Sequence, residues 1–291
     1  MRAILLGGHG MLGHDIASEL RGSDVVTPSA SELDVRDLGA LRRECRRVRP
    51  DFLISTVAFH RVDDSESQPD AAFTMNAVAT RNLATAAHDA GATLVWVSTD
   101  YLFDGGNTEP YQVDDRPLPL QVYGVSKLAG EHVIRLTTAD HLIVRTSGLY
   151  GLHRPVVQRV NFADKVLRHA RMGRSRISVP ADQVCTPTYT RDLAEVIVRL
   201  MQSGERGTFH ATNSGECSWA EFAEAVLEMI DASTKVERTT AKEYPMVARR
   251  PAYSVLSLDA LAKVGVPQPR PWREALRDFL AARVSAGAGP V

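Results

Sequence analysis

The sequence predicts an α/β fold: a doubly wound parallel sheet followed by a smaller mixed α/β domain. Three observations carry this expectation. Short apolar runs alternate with helical patterns as far as about residue 150, the rhythm of strands that reach parallel neighbours through crossover helices. The first run ends in a glycine-rich turn, Gly7-Gly-His-Gly10-Met-Leu-Gly13, which opens a helical pattern. Later runs end in polar clusters, and open α/β sheets bind ligands at that carboxyl edge.

Residues 2–7 form an apolar run closing on Gly7, the pattern of a buried parallel strand. Ile16, Ala17 and Leu20 follow at helical spacing. The turn between them reads G-x-x-G-x-x-G across Gly7, Gly10 and Gly13. Strand, glycine turn and helix form the context in which backbone approaches a dinucleotide pyrophosphate, held by the amides and dipole of the helix N-terminus. A second strand is expected over 24–28. After it, Thr27-Pro-Ser-Ala-Ser31 carries neither the acid that reads a ribose hydroxyl nor the arginine that accommodates a 2′-phosphate. NADH and NADPH both stay open on that ground.

Asp34, in Leu33-Asp34-Val35, could accept from an adenine amine or, like Asp37, cap the helix behind it. That helix carries Arg42, Arg43, Arg46, Arg47 and Arg49, a run that decorates a solvent face. Residues 52–58 make a third strand with Phe59, His60 and Arg61 at its carboxyl end. Nothing in the sequence orients His60 as a base, so it receives no catalytic role. One long helix is expected over 70–90, carrying Asn76. A fourth strand over 93–98 then delivers Thr99 and Asp100 to the ligand edge. The loop over 103–122 takes Gly105, Gly106, Pro110, Pro117 and Pro119 as turn residues, and 141–146 is a further strand.

Past residue 150 the rhythm loosens. A helix is expected over 162–171, a strand over 175–179, an amphipathic helix over 190–202, and a strand returning to the sheet over 208–211. Ser218, with Glu221 three positions on, is a capping box for a helix running to Ile230. A last helix lies near 271–283 with Pro271 in its first turn. These elements imply a dinucleotide-binding domain over 1–147 plus about 188–210. A substrate domain takes about 148–187 and 211–284, and 285–291 read as a disordered tail.

The chemistry concentrates in Tyr123-Gly-Val-Ser-Lys127. A phenol and an ammonium at i and i+4 share one helical face, and a nearby cation favours the phenolate, drawing the tyrosine pKa towards working pH. Such a tyrosine gives a proton to a carbonyl oxygen or takes one from an alcohol. Thr99 and Asp100 emerge at the edge this helix faces.

Composition excludes several other classes. The chain has 291 residues, 44% hydrophobic and 24% charged, with a formal net charge of -1. So balanced a charge points away from nucleic acid and membrane surfaces. No apolar stretch approaches the roughly 18 residues that span a bilayer, and no signal peptide opens the chain. Cys45, Cys185 and Cys217 are odd in number and widely spaced. That suits a reducing cytoplasm and neither a disulfide framework nor a zinc site; no metal is expected.

Together these motifs resemble the extended short-chain dehydrogenase/reductase superfamily, with its Rossmann-type sheet, and within it the dTDP-4-dehydrorhamnose reductases. The likeness runs through residues 7–13, 98–105, 123–131, 145–147, 161–162, 182–188 and 249–256. It implies NAD(P)H-dependent reduction of the 4-keto group of a nucleotide-diphosphate 6-deoxysugar, with a lean to NADPH as the common donor of biosynthetic reductions. It also implies that Gly10, Met11 and Leu12 meet the cofactor pyrophosphate, Asp34 and Val35 the adenine, and Ala58 and Phe59 the ribose. Thr99 would hold the substrate carbonyl, Tyr123 would exchange the proton, and Lys127 would bind the nicotinamide ribose. Asp100 and Gly148 fall on the substrate side.

The resemblance departs in two places. Many relatives carry a tryptophan where this chain has Gly148. The loop over 152–159 is longer and more basic, and its Arg154 and Arg159 could hold a diphosphate or equally decorate the surface. An open wall at Gly148 predicts a sugar bulkier or differently substituted than 4-dehydrorhamnose. Asp15 stands where some relatives hold a metal, too little for one here, and the likeness admits a homodimer. A regulatory, non-catalytic nucleotide-binding subunit is a competing reading, opposed by the intact Thr99, Tyr123 and Lys127. An epimerase or dehydratase is another, opposed by Tyr101 standing where a second acid would follow Asp100.

Overall fold

In the computed structural model, which describes residues 1–153 and 161–285, the first half alternates strand and helix. β1 (Arg2–Leu6) leads through the glycine turn into α1 (Met11–Glu19), then β2 (Asp24–Val26), α2 (Leu38–Val48) and β3 (Phe52–Ser55). Three helices, α3 (Val62–Ser67), α4 (Pro69–Phe73) and α5 (Ala79–Ala90), cross to β4 (Thr93–Thr99). α6 (Val122–Thr137) then crosses to β5 (His141–Thr146).

The second half interleaves shorter pieces. β6 (Leu149–Tyr150), α7 (Phe162–Arg171), β7 (Arg176–Pro180), β8 (Val184–Cys185) and β9 (Thr188–Tyr189) come first. α8 (Thr190–Ser203), β10 (Gly207–His210), β11 (Cys217–Ser218), α9 (Trp219–Met229) and β12 (Lys235–Thr239) follow, then α10 (Asp259–Lys263) and α11 (Trp272–Ser285). As expected, β10 rejoins the sheet beside β5, giving six strands in the order β10-β5-β4-β3-β1-β2, all pairs parallel. β1 pairs with β2 on one side and β3 on the other. The winding reverses there, which opens a crevice at the carboxyl ends of those strands.

Helices cover both faces, so the strands are apolar on both. Leu5, Ile54 and Val95 pack with Leu12 and Ile16 of α1 and Leu193 and Ile197 of α8. Their neighbours Ile4, Leu53 and Leu94 point the other way, onto Leu41 and Cys45 of α2 and Leu83 and Ala87 of α5. A separate apolar cluster joins α7, α9 and α11 around Tyr150, Phe222 and Phe279. Glu131 of α6 and Arg145 of β5 are buried together through bonds of 2.9 and 2.8 Å, and Arg135 adds a third at 2.8 Å.

The arginine run lies on a solvent face, with Arg42 bonded to Asp89 and Arg47 to Glu44. Asp37 caps α2 by accepting from the Ala40 amide at 2.9 Å, and the capping box of Ser218 and Glu221 is present. Three expectations change. The long helix over 70–90 is broken by a π-helical turn, Thr74–Val78, which lets the Asn76 side chain leave the helix for a neighbouring loop. β12 pairs with β7 where no strand was expected; its side chains are mostly exposed, so it lacks an apolar signature. Ser285 closes α11, while the rest of the expected tail, 286–291, lies outside the described residues, as do Arg154 and Arg159.

Candidate active site

A cavity of about 440 Å³ opens at the carboxyl edge of the sheet. Its lining joins Gly10, Met11 and Leu12 of the glycine turn with Ala58, Thr99, Asp100, Tyr123, Lys127 and Gly148. The C-terminal half contributes Gln183, Cys185, Trp219 and Arg250.

The glycine turn is packed more tightly than any side chain allows. A Cβ on Gly13 would stand 2.0 Å from the Gly7 carbonyl oxygen and 2.8 Å from Gly8 Cα. Gly7 itself has φ +82°, with its missing Cβ 2.4 Å from Thr56 Oγ1. Gly10 is the N-cap of α1, has no side chain to cap it, and no acidic residue fills the first turn. The amides at this helix N-terminus are therefore available to an anion, and the donor set fits a dinucleotide pyrophosphate. Gly7 and Gly13 shape the turn and do not line the cavity.

Not every residue expected on the cofactor side reaches the cavity. Asp34 accepts from the Arg36 amide at 2.9 Å and from its guanidinium at 2.9 and 2.6 Å, which holds its carboxyl below the usual range. Asp34 and the buried Val35 lie outside the cavity lining. Ala58 lines it, whereas Phe59 does not; the Phe59 backbone is pinned from both sides by Asn76, at 2.8 and 3.1 Å. Asn76 also donates to Ser126 Oγ at 2.9 Å, and Ser126 donates to the Tyr123 carbonyl at 2.7 Å. The π turn thus couples the loop after β3 to the turn of α6 that carries Tyr123.

α6 is seated by close backbone approach. A Cβ on Gly124 would stand 2.2 Å from the Tyr101 carbonyl oxygen, and one on Gly130 2.3 Å from that of Asn76. Glu66 accepts from the Val122 amide at 2.8 Å and so closes the helix N-terminus. Lys127 points inward and is 1% exposed. Its Nζ donates to the Val97 carbonyl at 2.6 Å and lies 3.4 Å from the Trp96 ring centroid. Burial lowers its pKa to about 7, against the pull of Glu131.

Tyr123 is half-buried against the cavity, with the Tyr101 ring edge-on at 6.4 Å. Burial pushes its hydroxyl well above the ordinary range; a hydrogen bond with Thr99 works against this and the Asp100 charge adds to it. The expectation that Lys127 draws the phenol pKa down is thereby corrected: the amine is committed to the β4 carbonyl, and desolvation governs both groups.

Asp100 is 4% exposed. It accepts from Thr99 Oγ1 at 3.1 Å, Ser147 Oγ at 2.9 Å and Ser254 Oγ at 2.7 Å. Burial raises its pKa to about 6, and the three hydroxyls oppose that rise. Ser254 arrives from the far C-terminal half, so this carboxyl stitches that half to the end of β4. Arg250 does similar work, donating to Asp63 and to the Ala248 carbonyl, both at 2.6 Å. Neither Ser254 nor Arg250 stood out as a site residue in the sequence; only their place in the 249–256 motif pointed to them.

Gly148 lines the cavity beside Pro187 and Trp219. With φ +57°, its missing Cβ would lie 3.1 Å from Pro187 Cα and 3.3 Å from Trp219 Cη2. His60 lines the cavity, its Nδ1 3.4 Å from the Ala58 carbonyl oxygen. Asp15 accepts from Thr190 Oγ1 at 2.6 Å. Among the described residues, no group of three or more His, Cys, Asp or Glu side chains is arranged to hold a metal, and no helix is long and apolar enough to cross a membrane.

Residues 1–285 match the protein family described as RmlD substrate binding domain. The chain is 38% identical over 287 residues to the spore coat polysaccharide biosynthesis protein SpsK of Bacillus subtilis, covering 98% of this chain and 99% of that protein. It is 36% identical over 292 residues to the dTDP-4-dehydrorhamnose reductase of Mycolicibacterium smegmatis, covering 98% of this chain and 86% of that protein. Its fold matches the crystal structure of the dTDP-4-dehydrorhamnose reductase of Bacillus anthracis in complex with NADP. That match has a TM-score of 0.92 at 34% identity and covers 97% of this chain and 99% of that one.

Proposed function

This chain belongs to the RmlD substrate-binding-domain family, the dTDP-4-dehydrorhamnose reductase-like branch of the extended short-chain dehydrogenase/reductases; from that premise we propose that it reduces the 4-keto group of a nucleotide-diphosphate 6-deoxysugar with NADPH or NADH. One observation carries the reading: Thr99, Tyr123 and Lys127 share a cavity with Gly10, Met11 and Leu12 of an uncapped helix N-terminus. Residues 1–147 with about 188–210 bind the dinucleotide, and about 148–187 with 211–284 cover the sugar.

A bound nicotinamide supplies the hydride that reduces C4. The protein supplies the proton and the orientation. The high pKa of Tyr123 keeps its hydroxyl protonated at working pH, so it donates that proton to the sugar oxygen as negative charge develops there. Thr99 Oγ1, whose hydroxyl can turn from Asp100 towards a ligand, is a second donor to the same oxygen. Lys127 lies beneath, between the Val97 carbonyl and the Trp96 ring, and its fixed amine orients the ribose side. Asp34, Val35 and Phe59 lie outside the cavity lining and take the adenine and ribose sides of the dinucleotide at its rim. Asp100 is already occupied by three hydroxyl donors, which favours a positioning role over the free acid that an elimination needs.

The test is a screen of dTDP-, UDP- and GDP-linked 4-keto-6-deoxysugars, each with NADPH and NADH, read by product mass and nicotinamide oxidation. Consumption of nicotinamide matched by a product that has gained one hydride and one proton is expected. Nucleotide binding without turnover on any sugar would return the chain to a regulatory role.

A further inference from the structure

We infer that the indole of Trp219 is the platform on which the sugar ring lies, and that position 148 is glycine to admit it; this rests on the reductase reading above. Trp219 lines the same cavity as Thr99, Tyr123 and Lys127. A Cβ at position 148 would stand 3.3 Å from the indole edge, beside the Pro187 backbone at 3.1 Å, in a left-handed backbone that already favours glycine. Gly148 directly follows Ser147, whose hydroxyl donates to Asp100 beside Thr99. The indole edge is thus anchored next to the cluster that fixes the reacting hydroxyls.

The ring is held from behind. Its centroid lies 4.9 Å from Phe162, edge-on, and 6.2 Å from the buried Phe222. Its backbone opens α9 immediately after Ser218, which the capping box with Glu221 fixes at 2.7 and 3.2 Å. Ser218 and Cys217 also pair with Val184 and Cys185 of β8, and both of these line the cavity. Phe222 is fully enclosed, whereas Trp219 is only partly buried. A large aromatic so supported, with surface left towards the cavity, fits a ligand that has one apolar face. A 6-deoxyhexose presents such a face through its C5 methyl and ring C–H groups. Stacking there fixes which side of C4 receives hydride, and with it the configuration of the product.

Trp219→Ala, Trp219→Phe and Gly148→Ala test this on a dTDP-4-keto-6-deoxysugar that the wild type turns over. Circular dichroism and the NADPH dissociation constant control for folding. Trp219→Ala should raise KM roughly 10- to 100-fold, the scale of a lost aromatic anchor, while NADPH affinity stays within about twofold. It should also turn a single C4 epimer into a mixture, an effect that loss of packing alone does not produce. Trp219→Phe should recover most of the selectivity. If Trp219→Ala also loses NADPH binding, Gly148→Ala carries the test: its new Cβ crowds the indole edge at 3.3 Å and the Pro187 backbone at 3.1 Å, and KM should rise at unchanged NADPH affinity. A KM within about threefold of wild type and a single epimer, in whichever of these variants still binds NADPH, overturn the platform. A wild type inactive on every nucleotide-linked keto-sugar defeats the reductase reading and the platform with it. An active wild type with unaffected variants defeats the platform alone.

Discussion

Replacing Lys127 by methionine keeps the length of a fully buried side chain and removes its charge. The amine sits between the Val97 carbonyl at 2.6 Å and the Trp96 ring at 3.4 Å, and burial lowers its pKa from 10.5 to about 7. Between those two values the folded chain binds fewer protons than the unfolded one. Stability therefore rises with pH across that window: the cost of charging the buried amine builds up as pH falls from about 10.5 and is complete below about 7. Methionine has no proton to exchange. Linkage then gives the wild type a gain of about 2–3 kcal/mol over Lys127→Met between pH 7 and pH 9. Below about pH 7 the difference between the two should level off. Urea unfolding of both proteins between about pH 6 and pH 9 measures it, with each midpoint converted through its own slope. A difference that stays constant over that range refutes the reasoning, because it would mean that the amine titrates as a solvated one.

Three further outcomes follow from the same geometry. Tyr123→Phe should lower turnover by roughly two to four orders of magnitude and leave the NADPH dissociation constant nearly unchanged; more than about a tenth of wild-type turnover would remove Tyr123 as the proton donor. Gly13→Ala puts a Cβ 2.0 Å from the Gly7 carbonyl oxygen and should weaken NADPH binding at least about tenfold by forcing the turn open, measured by calorimetry, with unchanged affinity showing that the turn is not the pyrophosphate cradle. Asp100→Asn reverses the sign found for Lys127: burial raises the folded pKa from 3.8 to about 6, so the wild type should lose stability relative to this variant as pH rises through that window. A difference that grows in the opposite direction in the same unfolding experiment would mean that Asp100 is stabilised as a carboxylate.

Much of the sheet and one side of the site were legible because each had a local signature. The run ending at Gly7, the glycines through Gly13 and the hydroxyls ending β4 are patterns of neighbours, and they fall where the order of strands requires. Ser218 and Glu221 announced α9 by the same kind of short-range chemistry. What stayed hidden depends on contacts distant in sequence. Asn76 lies in a stretch that reads as uninterrupted helix, yet it sits in a π turn from which its side chain reaches Phe59 and Ser126. Ser254 meets Asp100 across 154 positions, and Arg250 meets Asp63 across 187. The sequence could place Tyr123 and Lys127 on one helical face, yet spacing says nothing of depth. The Lys127 amine turns to a strand carbonyl, so desolvation outweighs the charge–charge effect that the spacing suggested. The sequence could not show that Trp219, 71 positions later, stands 3.3 Å from where a Cβ on Gly148 would be.

Transfer of label from NADPH deuterated at nicotinamide C4 to a dTDP-4-keto-6-deoxysugar asks most directly whether this cavity performs the reduction. Wild-type protein should deliver one deuterium to C4 of the sugar, giving a new alcohol there, and Tyr123→Phe should show the same transfer only at a greatly reduced rate. A product labelled at another carbon, an epimerised or dehydrated sugar without net oxidation of the nicotinamide, or label that never leaves the cofactor would contradict the assignment.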